Sequence, residues 1–123
     1  MVVAPNILLL FLDDHGWADS SVNAPNVTET PNMLRLAQQG VRFADFHVAA
    51  SVCTPSRAGL LTGRYGLRTG VTSNFSPYSS RGMALTEHTM ADMLTAAGYD
   101  SCIAAAARTL TQSNAARIPP AFD

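Results

Sequence analysis

The sequence predicts an α/β fold with a mostly parallel sheet, and three observations carry that prediction. An unbroken apolar run sits close to the start of the chain. Segments with helical period follow it, and turn-forming residues separate them from further strand candidates. The chain has 123 residues, 47% hydrophobic and 14% charged, which describes a globular domain and not a disordered tail.

The first element is Asn6-Ile7-Leu8-Leu9-Leu10-Phe11-Leu12, apolar at every position from Ile7 to Leu12 without alternation. That pattern suits a strand covered on both faces, as in a parallel sheet between helices. It is not a secretory leader: no positive residues precede it, its apolar core is short, and it ends in Asp13-Asp14 instead of a small-residue cleavage site. No stretch is long and apolar enough for a membrane span. The first helix is predicted from Thr30 as cap, through Pro31 at its first position, to Gly40 as a left-handed stop. Met33, Leu36 and Ala37 form its apolar stripe. Val41–Val48 is a second strand candidate. A second helix is opened by Pro55 and closed by Gly63. A third runs from about Glu87 to Ala97, capped by Thr86, with Met90, Met93, Leu94 and Ala97 on one face and Gly98 at its end. Tyr99–Ala105 is the last strand candidate. Residues 1–100 read as one partial domain, and residues 101–123 as a divergent tail without a clear period.

The net charge is −1, and all eight cationic residues are Arg. With no basic run and no interleaving of aromatic and basic residues, nucleic acid is excluded as a partner class. Cys53 and Cys102 allow one disulfide at most, so this is no disulfide scaffold.

Two segments carry chemistry. Asp13 and Asp14 follow the first strand candidate, and ligands in open α/β sheets bind beyond the carboxyl ends of strands. Adjacent carboxylates repel unless solvated or neutralised, so the pair suits Ca²⁺, with Mg²⁺ as the alternative; the competing reading is that both cap the following turn. His15 is a weaker ligand candidate. The second segment is Cys53-Thr54-Pro55-Ser56-Arg57, continuing into Leu61-Thr62-Gly63-Arg64. Pro55 nucleates a helix whose first turn leaves amides unpaired, and Cys53 lies at or just before that end, where anions bind readily. Arg57 adds a cation one turn on, able to hold an oxyanion in a fork. The plainer reading of Cys53 is a buried free thiol.

The segment from Cys53 to Arg64 resembles the sulfatase signature, Cys-x-Pro-Ser-Arg followed by Leu-Thr-Gly-Arg. Upstream, Pro5-Asn6-Ile7, Asp13-Asp14-His15-Gly16-Trp17, Thr30-Pro31-Asn32 and Gly40-Val41-Arg42-Phe43 are also similar to sulfatase elements. The resemblance covers about Ala4 to Tyr99. It implies an alkaline-phosphatase-like sandwich, present only in part. It also implies a sulfuric ester hydrolase in which Cys53, oxidised to formylglycine by a formylglycine-generating enzyme, is nucleophile and metal ligand. Asp13 and Asp14 would bind Ca²⁺ and Arg57 would orient the formylglycine. By the same resemblance, one oxygen of the hydrated aldehyde attacks the sulfur of an aryl or carbohydrate sulfate ester, and the second hydroxyl allows sulfate to leave.

The pattern breaks after Gly98-Tyr99-Asp100. The family continues into Gly-Lys-Trp-His, whereas this chain reads Ser101-Cys102-Ile103-Ala104 and contains no lysine. The expectation is therefore a truncated and inactive fragment. Two alternatives stand beside it: a phosphonate or phosphate monoester hydrolase of the same superfamily, and a non-catalytic decoy or interaction protein. A lysosomal or secreted location is implied by the family, and Asn26-Val27-Thr28 and Asn74-Phe75-Ser76 are sequons that fit it. The absence of a leader argues the other way, so the location stays open.

Overall fold

The computed structural model describes residues 4–76 and 78–103. The chain divides into two compact units, Met1–Phe46 and His47–Asp123.

In the first unit, residues 4–16 carry no regular structure beyond a bend at Asp13-Asp14. A 3₁₀ turn, Trp17–Asp19, follows. It is tied off by the Gly16 amide donating to Asp19 Oδ2 at 2.6 Å and the Asp19 amide donating to the Gly16 carbonyl at 3.1 Å. Helix α1 spans Pro31–Gln39, with Thr30 before it and Pro31 at its first position, as the sequence predicts. Thr30 does not cap it by side chain. Its hydroxyl is engaged elsewhere, accepting from the Ser21 amide at 2.9 Å, while the Thr30 amide donates to Ser21 Oγ at 3.1 Å. This reciprocal pair staples the entry of α1 to buried Ser21. Gly40 ends α1 at φ −129°, extended and not left-handed, which corrects the predicted stop. The predicted stripe is only partly covered: Met33 and Ala37 are half-buried, while Leu36 stays exposed.

The second unit holds three helices: α2 (Cys53–Thr62), α3 (Gly66–Thr69) and α4 (Met90–Ala96). Helix α2 packs on both α3 and α4. Its buried face meets Val71 and Met83 through Ala58, and Phe75 packs against this cluster. Helix α2 starts two residues earlier than predicted, with Val52 as its extended flanking residue, so Pro55 stands third and not first. Proline is tolerated there because amides of the first turn have no partner inside the helix. Gly63 closes α2 at φ 66°, donating its amide to the Gly59 carbonyl, as predicted. The last helix is shorter than predicted and its cap is Thr89, not Thr86. Thr89 makes a capping box with Asp92, each side chain accepting from the other's amide. Of its predicted stripe, Met90 and Leu94 are half-buried, but Met93 and Ala97 are exposed.

The three predicted strands are not strands among the described residues. Leu8 is 83% exposed and Leu10 71% exposed, so the run that the sequence reads as doubly covered is not covered on both faces here. Val41, Phe43 and Phe46 are likewise exposed. A strand exists only through hydrogen bonds to a neighbouring strand, and apolarity alone supplies none. Residues 99–103 have no regular structure, and residues 104–105 of that candidate lie outside the described residues, as does most of the tail from 101 to 123. Among the described residues, no helix is long and apolar enough to cross a membrane.

Candidate functional site

In the first unit, Asp13 and Asp14 stand in the bend that follows the apolar run, both exposed, with His15 exposed beside them. Asp14 takes φ 50°, the one non-glycine residue with positive φ among those described. Aspartate enters this left-handed region more readily than most residues, because its short carboxylate can bond the local backbone. The reversal at Asp14 breaks the extended path, so successive carboxylates need not alternate sides as they would along a strand. The donor chemistry, two hard anionic oxygens on adjacent residues at a solvent-accessible bend, fits a hard divalent cation such as Ca²⁺. Downstream, Arg42 donates from Nη2 to Asn23 Oδ1 at 2.9 Å, and the Thr28 hydroxyl donates to the Ala18 carbonyl at 3.2 Å. These contacts fix the loop between the 3₁₀ turn and α1.

In the second unit, Cys53 is the first residue of α2, half-buried and a free thiol. Its partial exposure is not that of a fully buried core thiol. Arg57, also half-buried, stands four residues on. That spacing puts both side chains on one face of the helix, one turn apart. Between them Thr54, Pro55 and Ser56 are buried, so the helix start is anchored in the unit while its first and fifth side chains remain partly accessible. The amides at this end carry partial positive charge, which favours an anion near Cys53.

Two residues escape sequence reasoning. Asn74, which the sequence offers only as a sequon, accepts from the Thr54 amide through Oδ1 at 2.9 Å. The partners are twenty positions apart, so no local pattern announces them. The hydroxyl of Thr54 is buried and has no hydrogen-bond partner among the described residues. An unpaired buried hydroxyl costs roughly 1–3 kcal/mol, which marks this turn as a place where packing is set against polar satisfaction. At the far end of α2, Arg64 Nη1 donates to Glu87 Oε2 at 2.6 Å, joining the helix end to the segment leading into α4.

A sequence profile described as Sulfatase matches residues 5–117 of this chain. The chain belongs to the sulfatase family. Its curated sulfatase relatives include arylsulfatase G of Rattus norvegicus, 52% identical over 95 residues that cover 77% of this chain and 18% of that protein. Arylsulfatase A of Bos taurus is 51% identical over 102 residues, covering 81% of this chain and 20% of that protein. N-acetylgalactosamine-6-sulfatase of Sus scrofa is 44% identical over 107 residues, covering 80% and 20%. This sulfatase chain thus spans about a fifth of the length of the curated relatives it matches. Membership implies the family's alkaline-phosphatase-like α/β fold.

Proposed function

We propose that this sulfatase chain carries the nucleophile segment and part of the metal site of a sulfuric ester hydrolase acting on aryl or carbohydrate sulfate esters. One observation carries the reading: Cys53-Thr54-Pro55-Ser56-Arg57 stands within a family match of residues 5–117, and its cysteine opens a helix. In this reading Cys53 is oxidised to formylglycine by a formylglycine-generating enzyme. The hydrated aldehyde supplies two oxygens on one carbon, which a plain thiol or hydroxyl cannot. Asp13, Asp14 and the modified Cys53 hold Ca²⁺, with Mg²⁺ as the alternative. When bound, the cation supplies Lewis-acid stabilisation of charge on the ester oxygens. The strand and sheet that the family's fold requires at residues 6–12 also belong to this proposal.

The chain's own residues have separable tasks. Arg57, one turn along from Cys53, orients the modified side chain through a fixed, always-charged fork. The amides of the first turn of α2 favour the anionic ester at that end. Asp13 and Asp14 neutralise the cation, which keeps the site from being an unbalanced cluster of positive charge. Ca²⁺ takes six to eight oxygens, and these residues offer three ligand groups. The 123 residues assayed alone are accordingly expected to bind Ca²⁺ weakly and to show little turnover.

The test is mass spectrometry of the peptide containing Cys53, after co-expression of the chain with a formylglycine-generating enzyme. The expected result is the mass loss produced when CH₂–SH becomes CHO. A wholly unmodified thiol refutes the nucleophile assignment and returns Cys53 to the role of a structural cysteine.

A further inference from the structure

The first turn of α2 lacks the usual means of holding itself. Val52, its flanking residue, has no side-chain acceptor, and no side-chain cap bond is made there. Pro55 has no amide to satisfy, and the Ser56 amide already donates to the Val52 carbonyl at 3.2 Å. Thr54 is 6% exposed, so water cannot readily replace a lost partner for its amide. Asn74 supplies that partner from outside the helix. It is itself held in place on both sides. Val71, three residues earlier, is 1% exposed, and Phe75, the next residue, packs on the cluster formed by Ala58, Val71 and Met83. Ala58 lies on α2, so one packed segment grips the helix by its apolar face and by its first turn.

The geometry points to Asn74 as a positioning residue for Cys53: its side-chain oxygen replaces the missing cap and fixes the backbone turn that carries the cysteine. The significance for catalysis rests on the role proposed for Cys53, whereas the cap itself does not. The segment Asn74-Phe75-Ser76 therefore has a structural use independent of any glycan, and removing the sequon without removing the acceptor separates the two.

The experiment uses the isotope-labelled 123-residue chain and reads amide hydrogen exchange at Thr54, together with the Cα shifts of Cys53 and Thr54, by NMR. Asn74→Ala is expected to speed exchange at Thr54 roughly fivefold or more, the fold-change of a typical lost cap. The Cys53 and Thr54 shifts move toward coil values, while exchange at Leu61 and Thr62 is unchanged. Asn74→Asp keeps an acceptor and restores both readouts. Ser76→Ala destroys the sequon and gives up the exposed 3.3 Å bond from the Tyr78 amide to Ser76 Oγ, but keeps the Asn74 acceptor and leaves exchange at Thr54 as in the parent chain. The inference is overturned if Asn74→Ala leaves Thr54 protected, or if Asn74→Asp fails to restore it. Should Asn74→Ala not fold, Asn74→Asp decides by itself: a protected Thr54 supports the cap and a fast-exchanging one overturns it. The Cys53 peptide mass reads the other assignment separately, since an unmodified thiol removes the catalytic role and leaves the cap standing.

Discussion

Replacing Val71 by Ala probes the packing that seats α2. Val71 is 1% exposed and lies at the centre of the apolar cluster with Ala58 and Met83. The substitution removes two methyl groups, worth about 1.6 kcal/mol at ~0.8 kcal/mol each. The unfilled space adds about 1 kcal/mol, at ~24 cal/mol per Å³ of residual cavity for a void of roughly two methyls. The expected loss is therefore about 2–3 kcal/mol, a large part of a marginal stability. Leu67 provides an internal control four residues away. It is apolar and larger but 88% exposed, so Leu67→Ala should change stability by no more than about 0.5 kcal/mol. Both are measured by urea denaturation followed by far-UV circular dichroism. That signal reports helices, whereas the single tryptophan, Trp17, lies in the first unit and would report on the wrong region. Equal losses for the two variants, or a larger one for Leu67→Ala, would refute the packing described for the second unit.

Two further substitutions test other contacts. Arg64→Ala should destabilise more than Glu87→Gln, because the Glu87 side chain is only 10% exposed and would keep an uncompensated charge, whereas Arg64 is 49% exposed. Half exposure of the arginine holds the pair itself to about 1 kcal/mol or less, and added salt should narrow the gap between the variants in denaturant titrations. Thr89→Ala removes the hydroxyl that accepts from the Asp92 amide at 3.3 Å and should cost about 1 kcal/mol, read as faster amide exchange in α4. Thr86→Ala, at the position that sequence pattern alone selects as the cap, should leave that exchange unchanged.

The comparison of Thr86 with Thr89 shows what one-dimensional reading can and cannot reach. Sequence by itself determined that helices would form after Thr30, around Pro55 and before Gly98, because punctuation by proline, glycine and small polar residues acts within a few positions. Likewise it singled out Asp13, Asp14, Cys53 and Arg57, because an acidic pair after an apolar run and a Cys-x-Pro-Ser-Arg element are contiguous motifs. It also indicated the sulfatase family, which the match over residues 5–117 bears out. Other features needed the tertiary structure. Thr30 pairs with Ser21 instead of capping α1, Glu87 meets Arg64 across 23 positions, and Asn74 reaches Thr54 across twenty. Apolar residues at 7–12 announce burial but not its partner, and without neighbouring strands among the described residues they form no sheet. Local propensity is encoded in neighbours along the chain. A cap, ion pair or strand ladder made across the fold depends on which distant groups arrive, and the satisfaction of backbone and charge is decided only there.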